Sequence, residues 1–406
     1  MIRSMYSGIA GLKNFQTKLD VIGNNIANVN TYGFKKGRVT FQEAMNQTIQ
    51  GASGAGDGRG GKNSLQVGLG SVTATIDSVQ TQASLQSTGR ALDLAVNGDG
   101  FFVVQGPGGQ NLFTRGGNFY LDQSGTMVTG DGYRVQQFQD GVLSDISINS
   151  GAVLPAQTTN EISLSGNLPN NVADPDFSFS QQMKVVDDQG LEHVLEVEMT
   201  PANAPNTDRW NVAFRNNSME SDIKETTGVI QFNAQGIPEW ETAPQNLRVE
   251  RGTPPEAVDF ALAAPPVIEG LTNNPGEITT QVLANGNLSG SLESFSVSNA
   301  GLISGVYSNG VVTPMAELSL ANFNNPSGLV KVGNNLFQES VNSGVANIGD
   351  VETVGSTISS GTLEMSNVDL SEEFTEMISA QRGFQANTRI ITTSDQILEE
   401  LVNLKR

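Results

Sequence analysis

The sequence predicts a mainly β protein with paired terminal α-helices, in which a coiled-coil-like helical domain made from both chain ends carries two β domains nested between them. Three observations predict it. Apolar residues recur at helical spacing at both ends, turn dipeptides cut the interior into short apolar runs, and the interior blocks follow one another so that, once the ends pair, each later segment returns beside an earlier one. At 406 residues the chain is long enough for several cores, at about 100 to 200 residues per domain.

At the N-terminal end, Ile2, Met5, Ile9, Leu12, Leu19 and Ile26 follow in steps of three, four and seven, which places them on one helical face. Phe15, Ile22 and Val29 form an adjacent row. Gln16 and the run Gly23-Asn24-Asn25 interrupt the stripe, so this helix is expected to order on assembly rather than alone. The stretch Asn28 to Gly33 breaks the helical period. Residues 51–61, GASGAGDGRGG, contain six glycines. No apolar strand precedes them and no Gly-Lys-Ser/Thr follows, so the segment reads as a mobile connection rather than a phosphate loop.

From residue 71 the period changes to two. The dipeptides Asn97-Gly98, Asp99-Gly100, Asp131-Gly132 and Asp140-Gly141 separate apolar runs, and VNGDGFFVV at 96 and VTGDGYRVQ at 128 read as two copies of one hairpin signal. A second block begins near 146, with a hairpin of Met183 to Val186 and Leu191 to Met199 around Asp187-Asp188-Gln189-Gly190, and a strand whose core face is Trp210, Val212 and Phe214. His193 shares the parity of Leu191, Leu195, Val197 and Met199, which marks a half-buried strand residue. Pro254, Pro255, Pro265, Pro266 and Pro275 mark irregular connections. Strand signals resume around Asn309-Gly310 and run to about residue 360.

The C-terminal region carries Leu370, Met377, Phe384, Ile391 and Leu398 at every seventh position, flanked by Ile390, Ile397 and Leu404. A sustained heptad needs a partner helix, and the N-terminal helix is the one available. Asp369 and Glu372 have capping-box spacing. Charge favours the pairing: residues 1–40 hold six basic side chains against Asp20 alone, and residues 363–406 hold eight acids against four bases. The expected domains are 1–28 with 366–406, a Gly-rich connection at 29–70, a β domain of 71–145 with 288–365, and an outer inserted β domain at 146–287.

Composition excludes several classes. A net charge of −20 repels nucleic acid and anionic lipid. There is no Cys and a single His, so neither a thiolate site nor a multi-His metal centre is expected, and no catalytic residue, metal or cofactor is assigned. No apolar run reaches the about 18 residues of a membrane span, and no Sec signal peptide is expected.

The runs SGIAGLKNFQTKLDVIGNNIANVNTYGFKK, LDLAVNGDGFFVV, FTRGGNFYLDQSGTMVTGDGYRV and SNVDLSEEFTEMISAQRGFQANTRIITTSDQILEELVNL, in this order, resemble the flagellar rod, hook and hook-associated axial family. Asn24, Asn25, Ala27, Asn28, Thr31, Gly33, Phe34 and Lys35 match its most characteristic positions, and SLANFNNPSGLVKVGNNLFQESVNSG at 319–344 is similar to its hook members. The resemblance implies a nested axial protein exported unfolded by the flagellar type III apparatus and polymerised outside the cell into a curved helical tube. That tube is a universal joint between rod and filament. The implied partners are further copies of the chain, a distal rod protein, a hook cap protein, a hook-length ruler and a hook-filament junction protein. A distal rod-type subunit is the alternative within the family, and a secreted adhesin or hydrolase the alternative outside it. With Asn24, Asn25 and Asn28, the two apolar rows of the helices make the expected assembly interface: Ile2, Met5, Ile9, Leu12, Leu19, Ile22 and Ile26 on the first helix, and the heptad from Leu370 to Leu398 on the second.

Overall fold

The computed structural model describes the whole chain except residues 1, 55–59, 140, 150, 173, 175, 203–207, 217–224, 234, 245, 252–255, 262–264, 405 and 406. Pro254, Pro255 and Asp140 therefore lie outside the described residues. The rest is strand, turn and one short 3-10 turn between two long helices, α1 (Ile2–Ala27) and α2 (Leu370–Leu404). The chain divides into two compact units, Met1–Asn149 with Phe295–Ser304 and Pro314–Arg406, and Ser150–Ser294 with Gly305–Thr313.

In the first unit the helices share a body with a largely antiparallel sheet. Phe101–Gln105 is its spine, pairing with Asn111–Thr114, with Arg134–Gln139 and with Ser319–Asn322. Every residue from Phe101 to Val104 is fully buried. Phe101, Phe113, Phe323 and Phe337 pack edge to face at 4.8 to 5.8 Å between ring centroids, the arrangement the ring quadrupole favours.

The two hairpin signals part company. Met127–Thr129 and Arg134–Gln139 do pair across the turn at 130–133. Leu94–Asn97 instead takes Thr357–Ser360 as its partner, while Phe101–Gln105 joins the large sheet. The residues from Leu94 to Val96 and from Phe101 to Val104 are buried without alternation, so each run needs cover on both faces, which a lone hairpin does not supply.

The segment expected as a connection at 29–70 is largely an antiparallel ribbon. Gly37–Glu43 pairs with Ser71–Ser78, and Asn46–Gln50 with Leu65–Gly68. Val39, Thr40 and Phe41 opposite Thr73, Thr75 and Ile76 are β-branched or aromatic, which favours strand. A bridge joins Ser53 to Lys62 across that tip, and residues 55–59 of the Gly-rich run lie outside the described residues.

The second unit contains a five-stranded antiparallel sheet from Phe179–Val186 through Glu192–Pro201, Arg209–Asn216 and Glu225–Phe232 to Pro238–Thr242, and a three-stranded sheet centred on Ile162–Asn167. Trp210, Val212, Leu195, Val197 and Met199 share one core with Ile162 and Leu164. The half-buried His193 places Nε2 3.2 Å from Oδ2 of Asp187, whose other oxygen accepts the backbone N–H groups of Gln189 and Leu191. It closes a turn.

Candidate functional site: the helix pair and its anchor

The helices run antiparallel, with Gly8 of α1 beside Ile391 and Asn25 beside Glu373. Their axes approach closely because small residues meet there. A Cβ on Gly11 would sit 2.7 Å from Asn387 Nδ2, and one on Gly383 would sit 2.5 Å from Phe15 Cζ. Where a large side chain such as Phe15 enters the seam, it does so opposite a glycine. The row of α2 facing α1 is consequently Glu373, Ala380, Asn387 and Ser394, also spaced by seven but displaced by three from the expected heptad, and Glu373, Ala380 and Ser394 are buried. Met377, Ile391 and Leu398 flank it half-buried, whereas Leu370 and Phe384 are exposed.

On α1, Ile22 and Asn25 are buried, and Met5, Leu12, Leu19, Ile26 and Asn28 are half-buried. Ile9 and Asn24 are exposed, and the Ile2 side chain lies outside the described residues. The expected row is therefore split between the seam and the solvent. Asn14, which periodicity does not distinguish, is buried and ties α1 to the ribbon. Its Nδ2 donates to Ser71 Oγ at 2.8 Å, and its Oδ1 accepts from Thr73 Oγ1 at 3.3 Å.

The base of the pair is pinned by Asn25. Its amide accepts the Gly37 N–H and donates to the Gly37 carbonyl, both at 2.9 Å, and donates again to Glu373 Oε2 at 3.1 Å. One side chain thus locks helix, ribbon and second helix. Asp369 caps α2 through Oδ1 to the Ser371 N–H at 2.8 Å. Glu372 does not fold back to complete the capping box; it takes Lys36 at 2.7 Å, and Lys18 takes Glu376 at 3.2 Å. The charge asymmetry of the two ends becomes two pairs onto α2, one from α1 through Lys18 and one from the entry to the ribbon through Lys36.

Below this lies a buried charge cluster. Lys35 Nζ donates to Glu364 Oε1 at 2.7 Å and to the Thr81 carbonyl at 2.8 Å. Arg115 stands 3.7 Å from the other Glu364 oxygen and 4.8 Å over the Phe101 ring. Lys35 and Glu364 side chains have no exposure. Burial pushes both cations below their ordinary pKa, while Glu364 and then Asp99 pull them back. Gly33 makes the entry: its φ is +67° and its N–H donates to the Glu364 carbonyl at 2.8 Å. A Cβ there would lie 2.6 Å from the Gly116 nitrogen. The Asn28 to Lys35 segment is thus a plug seated in the sheet. Glu364 and Arg115 lie hundreds of residues or a whole strand system away, and no local pattern marks them.

Three expected outcomes follow from this geometry. Gly383→Ala clashes with Phe15 and lowers helix-pair stability by about 1–3 kcal/mol despite its better helix propensity. Gly23→Ala, with nothing within 4 Å of the new Cβ, raises it by about 0.5–1 kcal/mol. Melting followed at 222 nm checks both signs. Burial raises the Glu373 carboxyl above its ordinary value, offset in part by Asn25 and Lys36. A raised carboxyl favours the fold when protonated, so its contribution is fullest below the ordinary glutamate pKa of about 4.3 and is lost as pH rises through the folded value. Glu373→Gln is expected to flatten that part of the stability-pH curve and to stabilise the pair at pH 7; a curve identical to wild type refutes this.

Comparisons with known proteins agree on one lineage. Residues 5–35 match the family described as flagella basal body rod protein, 95–168 the flagellar hook protein FlgE/F/G D1 domain, and 359–404 the flagellar basal body rod FlgEFG protein C-terminal region. Over all of both chains, the sequence is 37% identical to the flagellar hook protein FlgE of Borreliella burgdorferi and 37% identical to the flagellar basal-body rod protein FlgG of Bacillus subtilis. It is 33% identical to the Escherichia coli FlgE over 98% of each chain. The crystal structure of the Helicobacter pylori flagellar hook protein FlgE2 matches with a TM-score of 0.50 at 15% identity, over 69% of this chain and 100% of that one, a likeness of fold.

Proposed function

The chain belongs to the family of flagellar hook and rod proteins, and from that premise we propose that it is a structural subunit of the bacterial flagellar hook, polymerising into a curved helical tube that transmits torque from rod to filament. The observation that carries this is the helix pair. Its seam consumes the small and polar residues and leaves Phe374, Ile378, Phe384, Ile390, Ile397 and Leu401 exposed, an apolar surface that an assembly would cover. The full-length likeness to hook relatives supports the same reading. Chain order assigns 1–28 and 366–406 to the inner layer of such a tube and 146–287 to its outermost domain.

No enzymatic role is proposed. Among the described residues there is no cluster of His, Cys, Asp and Glu suited to a metal ion, and no helix long and apolar enough to cross a membrane. With this reading we propose export through the flagellar type III apparatus and contacts with distal rod, hook cap, length ruler and hook-filament junction proteins; likeness to hook relatives is what supports them. The second reading is a distal rod-type subunit, favoured by the Bacillus subtilis relative named as a rod protein.

Electron microscopy of basal bodies from a strain lacking this chain tests the choice. Complete rods without hooks are expected, and truncated rods favour the rod reading. The thin seam also predicts that residues 1–28 and 370–404 exchange amide hydrogens much faster in free subunits than in tubes; strong protection before assembly contradicts it.

A further inference from the structure

Three asparagines in the sequence stand directly before glycine: Asn97, Asn285 and Asn309. Such a pair can rearrange without an enzyme. The glycine backbone nitrogen attacks Cγ of the asparagine and closes a five-membered succinimide, while the Cγ–Nδ2 bond breaks and ammonia leaves with the proton from the glycine nitrogen. Water then adds to either ring carbonyl and opens the imide to aspartate or isoaspartate. No electron is gained or lost. Glycine favours the step because it has no Cβ to obstruct the approach and its φ is free.

The fold treats the three pairs unequally. Asn309 is held at both ends of its amide, with Nδ2 donating to the Leu288 carbonyl at 2.6 Å and Oδ1 accepting the Val311 N–H at 3.1 Å. The Gly310 N–H, which would have to attack, donates to the Tyr307 carbonyl at 2.8 Å. Asn285 is exposed but held by three bonds: its Oδ1 accepts the N–H groups of Asn160 and Glu161, both at 3.1 Å, and its Nδ2 donates to Asn160 Oδ1 at 2.6 Å. A Cβ on Gly286 would collide with Thr159 Oγ1, so that glycine is tightly packed. Each of these bonds must break before Cγ can meet the nitrogen, and each raises the barrier.

Asn97 differs. It is the exposed last residue of the strand Leu94–Asn97, and among the described residues its side-chain amide has no hydrogen-bond partner. The Gly98 N–H donates to Gln82 Oε1 at 3.4 Å, a long bond beside the 2.8 Å of Gly310. We propose that Asn97 is the site of spontaneous deamidation in this chain, and that the hydrogen bonds around Asn285 and Asn309 protect the other two. The product puts a new carboxylate, or with isoaspartate an extra main-chain methylene, at the end of the strand that pairs with Thr357–Ser360.

The reaction needs no polymer, so the free full-length chain is the sample. It is held in warm, mildly alkaline buffer, which favours loss of the glycine N–H proton, and is digested at intervals for mass spectrometry. Aspartyl and isoaspartyl products at 97 are expected to form at least tenfold faster than at 285 or 309. In denaturant, where the hydrogen bonds are gone, the three rates are expected to converge. Rates at 285 or 309 equal to or above that at 97 in the folded chain overturn the proposal, as does a preference for 97 that persists undiminished in denaturant, since flanking sequence would then set it. Asn97→Gln, whose longer side chain does not close the five-membered ring, is expected to remove most of the ammonia released by the folded chain. Undiminished release also overturns the proposal.

Discussion

Glu364→Gln is expected to destabilise the first unit by about 3–5 kcal/mol, the cost of leaving buried charge without its partner. Two cations, Lys35 and Arg115, depend on this one carboxylate, which also accepts the Ala83 N–H at 2.9 Å. The glutamine keeps the shape and one acceptor but removes the charge. The measurement can be made specific to the unit. Both tryptophans, Trp210 and Trp240, lie in the second unit, whereas both long helices lie in the first. Loss of signal at 222 nm is therefore expected at lower temperature, with the tryptophan emission transition unmoved. A 222 nm transition within about 1 kcal/mol of wild type would show that the cluster is not what seats the plug.

Phe384→Asp is expected to abolish polymerisation while leaving the free subunit folded. Phe384 is 37% exposed and lies outside the row that faces α1, so the change costs the monomer about 1–2 kcal/mol of partial burial, less than a core truncation. In a tube the carboxylate would be buried against apolar side chains without a partner, a penalty of several kcal/mol at every repeat. Sedimentation reads assembly, and circular dichroism reads the fold. Tubes of normal number and form would remove this side of α2 from the assembly surface.

The comparison of expectation with structure turns on particular elements. Both helices, the Asp369 cap, the hairpin at Asp187 to Gly190 and the Trp210, Val212, Phe214 core face were legible, because each rests on interactions between residues a few positions apart. The ribbon at 37–78 was obscured by the six glycines in the sequence of residues 51–61, between its paired strands. The run VNGDGFFVV looked like a hairpin because turn chemistry is local, while the choice of strand partner is not.

The assembly face divides in the same way. Heptad counting found a row from Leu370 to Leu398 and assigned it to the partner helix, since apolar repeats usually mark the buried side. The actual seam is governed by approach distance: with Gly8, Gly11 and Gly383 at the crossing, α2 turns the row Glu373, Ala380, Asn387 and Ser394 inward, and Phe15 packs on Gly383. The largest side chains of α2 are thereby left outside. Asn14 and Asn25 each make two hydrogen bonds to the ribbon, and Lys35 reaches Glu364 across 329 positions of chain. By itself the sequence determined the helices at the two ends, the β character of the interior and the family. Only the tertiary structure decided which face of each helix is spent within the subunit and which is left for a neighbour, because close approach and buried charge pairing depend on residues brought together by the whole fold.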